Sequence, residues 1–206
     1  NARRNLDQPL SLTSNDFTQI NYGTMIYMKT TLIMDHLQAY LGEETMQRCL
    51  HAYFDAWKFK HPQPEDVREV FERESEKDLS WVFSGFLRTS EKVDIRAVRS
   101  KGNSLWYKTN VRGYLPMPIT GWNKQDSLGT TWVNTGAVII GHSVDRKSGY
   151  RRATRLFGRE EVELPWSNAD RVVIDAGNRT LDIDRRNNEV RSHGLCKRGY
   201  FPKFEP

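Results

Sequence analysis

Residues able to do chemistry are few in this chain and widely spaced. The five histidines, His36, His51, His61, His142 and His193, never form a His-x-x-x-His pair. No helix therefore presents the His-Glu-x-x-His arrangement that holds zinc. A glycine-rich phosphate loop and a Gly-x-Ser-x-Gly elbow are both missing from the sequence, which removes the usual signatures of nucleotide binding and serine hydrolysis. Asp182-Ile183-Asp184 brings two carboxylates together, but an EF-hand needs further ligands and a glycine, and a turn between strands is the simpler reading. Cys49 falls in an apolar helical stripe, where a thiol serves as a small hydrophobe. Cys196 lies far away in the other predicted module, so neither a disulfide framework nor a Cys-x-x-Cys metal knuckle is indicated.

Eight tyrosines add phenols without any spacing that marks one for chemistry; Tyr22 and Tyr27 stand at the head of a predicted helix. A phenol of pKa ~10 stays protonated at neutral pH and can donate a hydrogen bond. Such a donor suits an oxyanion developing in a transition state. The competing reading is an aromatic packed in a core, with its hydroxyl on a backbone acceptor.

The elements that must position these residues change character once along the chain. Ile26, Thr30, Ile33, Leu37 and Leu41 recur at helical spacing, and Gly42 follows as a stop. Glu43 and Glu44 open a second helix, with Met46, Cys49, Leu50, Tyr53, Phe54 and Trp57 as its apolar stripe. His61-Pro62-Gln63-Pro64 breaks that helix and places Pro64 in the first turn of a third. Asp78 is the candidate N-cap of a fourth, running to Leu87. After Thr89 the period becomes two. Strands are expected at Val93–Ala97, Leu105–Val111, Thr130–Ile140, Arg151–Phe157, Glu161–Leu164 and Arg171–Ile174, separated by turn-rich stretches. The fold class is α+β in two modules: an all-α helical part over 1–89, then an antiparallel β-sandwich over 90–194. Residues 195–206 read as a linker or tail.

Of the 206 residues, 37% are hydrophobic and 28% charged, ordinary values for a globular chain. No apolar run reaches the ~18 residues of a membrane span. The net charge of +5 is dispersed; its densest runs are Arg146-Lys147 with Arg151-Arg152, and Arg185-Arg186. That pattern suits solvated strand faces and turns better than a nucleic-acid surface, so no nucleic-acid partner is expected. The chain opens Asn1-Ala2-Arg3-Arg4 without methionine or an apolar leader and reads as a piece of a longer polypeptide.

One ordered set of motifs adds to this. Asn21-Tyr22-Gly23-Thr24-Met25-Ile26-Tyr27-Met28-Lys29-Thr30 leads a helix ending Leu41-Gly42. Then come Trp57-Lys58-Phe59-Lys60-His61-Pro62, a Pro-Glu-Asp helix start, Asp78-Leu79-Ser80-Trp81-Val82-Phe83, and late in the chain Asp184-Arg185-Arg186-Asn187-Asn188. The series resembles the alanyl-aminopeptidase family of gluzincin zinc peptidases, over the C-terminal part of the catalytic domain and the β-sandwich after it. The resemblance implies a metallopeptidase parent, a hydrolase removing N-terminal residues from peptides, with zinc as its cofactor. It aligns Tyr27 with the family's catalytic tyrosine, which stabilises the oxyanion; Lys29 completes the motif with no chemistry assigned. The metal ligands and the strand that grips the substrate amine precede this tyrosine in the family. No zinc is therefore expected in these residues, and the chain alone is expected to be inactive. Its partners would be peptide substrates and the zinc-bearing N-terminal half of the same protein. That missing half would leave Ile26, Ile33 and Leu37 bared. The alternative is a non-catalytic scaffold or a protein-binding β-sandwich on a peptidase-like helical part. Such families are often exported or membrane-associated, and nothing in these residues establishes either.

Overall fold

The computed structural model describes residues 6–111, 113–135 and 159–192. The chain divides into two compact units, 1–91 and 92–206. The first is helical and the second consists of antiparallel strands, as the change of period after Thr89 implies.

In the helical unit, one unbroken rod carries the segment of interest. It comprises α1 (Gln19–Asn21), a π-helical segment (Tyr22–Lys29) and α2 (Thr30–Leu41). Thr18 caps it, its Oγ1 accepting from Asn21 N at 3.3 Å. Gly42, at φ 85°, ends α2, a backbone angle that a Cβ would penalise. Next comes α3 (Glu43–Trp57), with Glu43 and Glu44 in its first turn. Pro64 stands at the first position of α4 (Pro64–Ser75), and Gln63 and Asp66 form a reciprocal capping box. Asp78 Oδ1 then accepts from Ser80 N at 2.8 Å, ahead of a second π-helical segment (Trp81–Phe86). That hydrogen bond holds the Asp78 carboxyl below its ordinary pKa.

Ile33 and Leu37 of α2, Met46 and Cys49 of α3, and Val70 and Phe71 of α4 fill the core of this unit. The expectation that Ile33 and Leu37 are bared is thus corrected: each is 1% exposed. Ile26 is half-buried, while its neighbour Met25 is buried. The cause is the π segment. Its i→i+5 bonding widens each turn, so residues before Thr30 lie out of phase with a 3.6-residue reading.

In the second unit, β1 (Ile95–Lys101), β2 (Ser104–Thr109) and β5 (Arg159–Glu163) form one antiparallel sheet in the order β1-β2-β5. A second sheet has the order β4-β3-β6-β7, from β3 (Leu115–Asn123), β4 (Asp126–Thr135), β6 (Arg171–Ile174) and β7 (Glu189–Arg191). Alternate residues are buried: Ile95 and Ala97 on β1, then Leu105, Tyr107 and Thr109 on β2. Strand β6 falls where the sequence placed it. Strand β3, which contains Pro116 and Pro118, was not among the strands expected. Pairing of β6 with β3 covers only Ile119 to Trp122, so the proline half of β3 is an edge on that side, where proline is tolerated. The short β7 carries a single apolar residue, Val190, and gave no alternation to detect. The strand expected at Arg151–Phe157, the end of Thr130–Ile140 beyond residue 135, and the tail over 195–206 lie outside the described residues.

Candidate functional site

Tyr27 lies on the outer side of the first π segment and is 62% exposed. Five residues apart, Tyr22 and Tyr27 would diverge on an ordinary helix, where neighbours are three or four apart. The wider π turn brings them to one side, with ring centroids 6.3 Å apart in an edge-to-face arrangement. Phe17 continues the row, 6.4 Å from Tyr22. Tyr22 is 41% exposed, and Met28 beside Tyr27 is 66% exposed. Among the described residues the Tyr27 hydroxyl has no hydrogen-bond partner. The side chain is therefore held by ring contacts, with its polar end toward solvent.

Threonine hydroxyls serve the carbonyls of the widened turns. Thr24 Oγ1 donates to Ile20 O at 2.8 Å and Thr31 Oγ1 to Tyr27 O at 2.8 Å. Side chains that bond back to the preceding turn in this way are known to bend helices. Lys29, given no chemistry from sequence, donates from Nζ to Thr89 O at 3.0 Å. It ties the tyrosine segment to the end of the helical unit. Asn21 is a positioning residue that the sequence reading missed. It is buried, and its Nδ2 donates to Leu6 O at 2.6 Å and Gln8 Oε1 at 3.0 Å. Gln8 Oε1 also accepts from Thr18 N at 2.9 Å. The segment before the rod is thereby strapped to its first turn. No spacing rule marks such a residue, because the contact spans thirteen to fifteen positions.

The other candidates resolve as structure. Cys49 is fully buried, and burial pushes its thiol pKa up, away from a nucleophilic thiolate. Asp182 is spent on backbone: Oδ2 accepts from Ile95 N at 3.2 Å and Oδ1 from Asp184 N at 2.8 Å. Asp184 in turn accepts from Arg186 Nε at 2.7 Å. Among the described residues no three His, Cys, Asp or Glu side chains come together as metal ligands. The described residues thus do not fit a zinc centre, and no reaction step is assigned to a metal here. His142 and His193 lie outside them.

Residues 2–86 match the family model described as the Peptidase family M1 domain. The structure is also similar to Legionella pneumophila aminopeptidase A, solved in complex with aspartic acid. The TM-score is 0.53 at 12% identity, covering 79% of this chain and 18% of that one. At that identity the likeness speaks for the fold alone, and this chain spans 18% of the length of the aminopeptidase. No curated protein matches the chain. The resemblance drawn from the motifs is borne out over residues 2–86, the stretch that matches the Peptidase family M1 domain.

Proposed function

We propose that this chain is part of a zinc-dependent aminopeptidase that removes N-terminal residues from peptides, and that Tyr27 is its transition-state donor. The observation that carries the reading is the Tyr27 phenol: 62% exposed, free of hydrogen bonds among the described residues, and inside the segment matching the family domain. A buried phenol bonded to backbone could not reach a substrate oxygen. In this reading the hydroxyl donates to the carbonyl oxygen as it becomes an oxyanion. Tyr22 packs edge-on and fixes the ring, and Lys29 and Asn21 hold the helix head. The ligands of the metal come from a zinc-bearing N-terminal half of the same protein, against which the exposed row of Ile20, Tyr22, Tyr27 and Met28 packs. The 206-residue chain alone is then inactive.

The test is Tyr27→Phe in the full-length parent. Loss of one oxyanion donor lowers turnover ~10²–10³-fold, with zinc content by metal analysis unchanged. Near-normal turnover in that variant rejects the role. The second reading is a scaffold with a peptidase fold and no activity, under which these residues would also hold no ligand cluster. A parent that holds no zinc and cleaves no aminoacyl reporter would establish it.

A further inference from the structure

The sheet-bearing unit contains a cavity of about 440 Å³, and four of its seven lining residues are arginine or lysine. Arg99 and Lys101 come from the end of β1, Arg159 from the start of β5 and Arg191 from the end of β7; Ser100 and Ser192 add two hydroxyls. Strands β1 and β7 each stand last in their sheet among the described strands. The volume lies within the range of small-ligand sites. From this arrangement we infer that the cavity binds a small, multiply charged oxyanion of the pyrophosphate or polycarboxylate kind.

Three observations carry the inference. First, the cations are poorly neutralised from within. Arg191 Nε donates to Glu189 Oε1 at 2.9 Å with half of the Arg191 side chain exposed, a pair of small worth in solvent. Lys101 and Arg159 have no ion pair among the described residues. Second, Arg99 is held by a π face instead of a carboxylate. Its guanidinium lies over the Trp106 ring at 4.3 Å. The stacking fixes the planar fork and leaves its N–H edges for an oxyanion, which guanidinium groups grip in bidentate fashion. Third, the strand register places like charges directly across from one another. Arg96 pairs with Lys108, and Lys108 with Arg159. Direct cross-strand partners share a face, and like charges so placed destabilise a sheet. Arg96 Nε is moreover buried without a hydrogen-bond partner among the described residues. A solvated strand face would interleave signs. Glu161 does lie across from Trp106, and Glu163 across from Ser104, yet Glu163 is engaged by Asn103 Nδ2 at 2.6 Å. Of this row Arg159 lines the cavity, where a bound anion would offset the charge it sets against Lys108.

The experiment is calorimetric titration of the 206-residue chain with sodium pyrophosphate, and separately with citrate, in low salt. Saturable one-to-one binding of either probe is expected, weakened by added salt and reduced roughly tenfold or more in Lys101→Glu and in Arg159→Glu. Binding of pyrophosphate alone assigns the source to phosphates, and binding of citrate alone to polycarboxylates. Lys60→Glu, an equal change of net charge in the helical unit, should leave affinity unchanged. Thermal melts of the variants should each show one cooperative transition well above the titration temperature, so that a loss of binding is not a loss of the fold. No saturable heat with either probe overturns the inference. So does a loss in Lys60→Glu equal to that in Lys101→Glu, which would reduce the effect to overall charge.

Discussion

Asp182 gives the sheet-bearing unit a stability that should fall as pH rises. Burial drives its pKa from 3.8 to about 6, against hydrogen bonds from Asp184 N and Ile95 N that pull the other way; the Asp94 carboxylate adds to the rise. A pKa raised in the folded state means that the folded chain binds the proton more tightly than the unfolded one. The contribution is therefore complete below pH 3.8 and is lost as pH climbs through 6. The displacement corresponds to ~3 kcal/mol. Asp182 is 7% exposed, so solvent screening does little to reduce it. The perturbation is Asp182→Asn. Asparagine offers one acceptor oxygen where the carboxylate serves two backbone N–H groups, from Ile95 and Asp184. Orphaning one costs ~1–3 kcal/mol at every pH. Urea unfolding of parent chain and variant, followed by tryptophan fluorescence between about pH 3.5 and 7, separates the two effects. The stability advantage of the parent chain over the variant should shrink by ~3 kcal/mol across that window. Other carboxyls, including the lowered Asp78, cancel in the difference. A difference that stays flat, or grows with pH, refutes the reasoning.

Two other substitutions test the fold. Gly121→Ala would place a Cβ 2.8 Å from Trp166 Cε3 and 3.2 Å from Cδ2 and Cζ3; displacing the ring should cost ~1–3 kcal/mol, read as a lower melting temperature with altered tryptophan emission. Asp66→Ala removes the carboxylate that accepts from Gln63 N at 2.7 Å, and the urea midpoint of the helical unit should fall by the equivalent of ~1 kcal/mol.

The helical unit was legible where local chemistry acts alone. Glycine at position 42, proline at 64 and the Asp78 carboxylate each sit where propensity puts them. The break in the pattern between Tyr22 and Lys29 was not legible, because a π turn uses the same residues as an α turn and differs only in bonding. Tyr27 could be singled out, while its ring contact with Tyr22 could not, since that contact exists only in the wider turn. Strand β3, with its two prolines, was not among the strands expected. The cationic cavity was invisible for another reason: its lining comes from positions 98–101, 159 and 191–192, which only the sheet register gathers. Sequence spacing reports neighbours along an element and is blind to partners brought in by a distant strand.

The bulged rod also bears on how this surface tolerates change. Whether the two phenols share a side depends on the number of residues between Asn21 and Thr30 more than on their identity. Removing one residue after Tyr27, such as Met28, would let the rod relax toward ordinary winding, still continuous and capped, with Tyr22, five positions away, swung from Tyr27. Length, at this one place, is the determinant of what the outer surface displays.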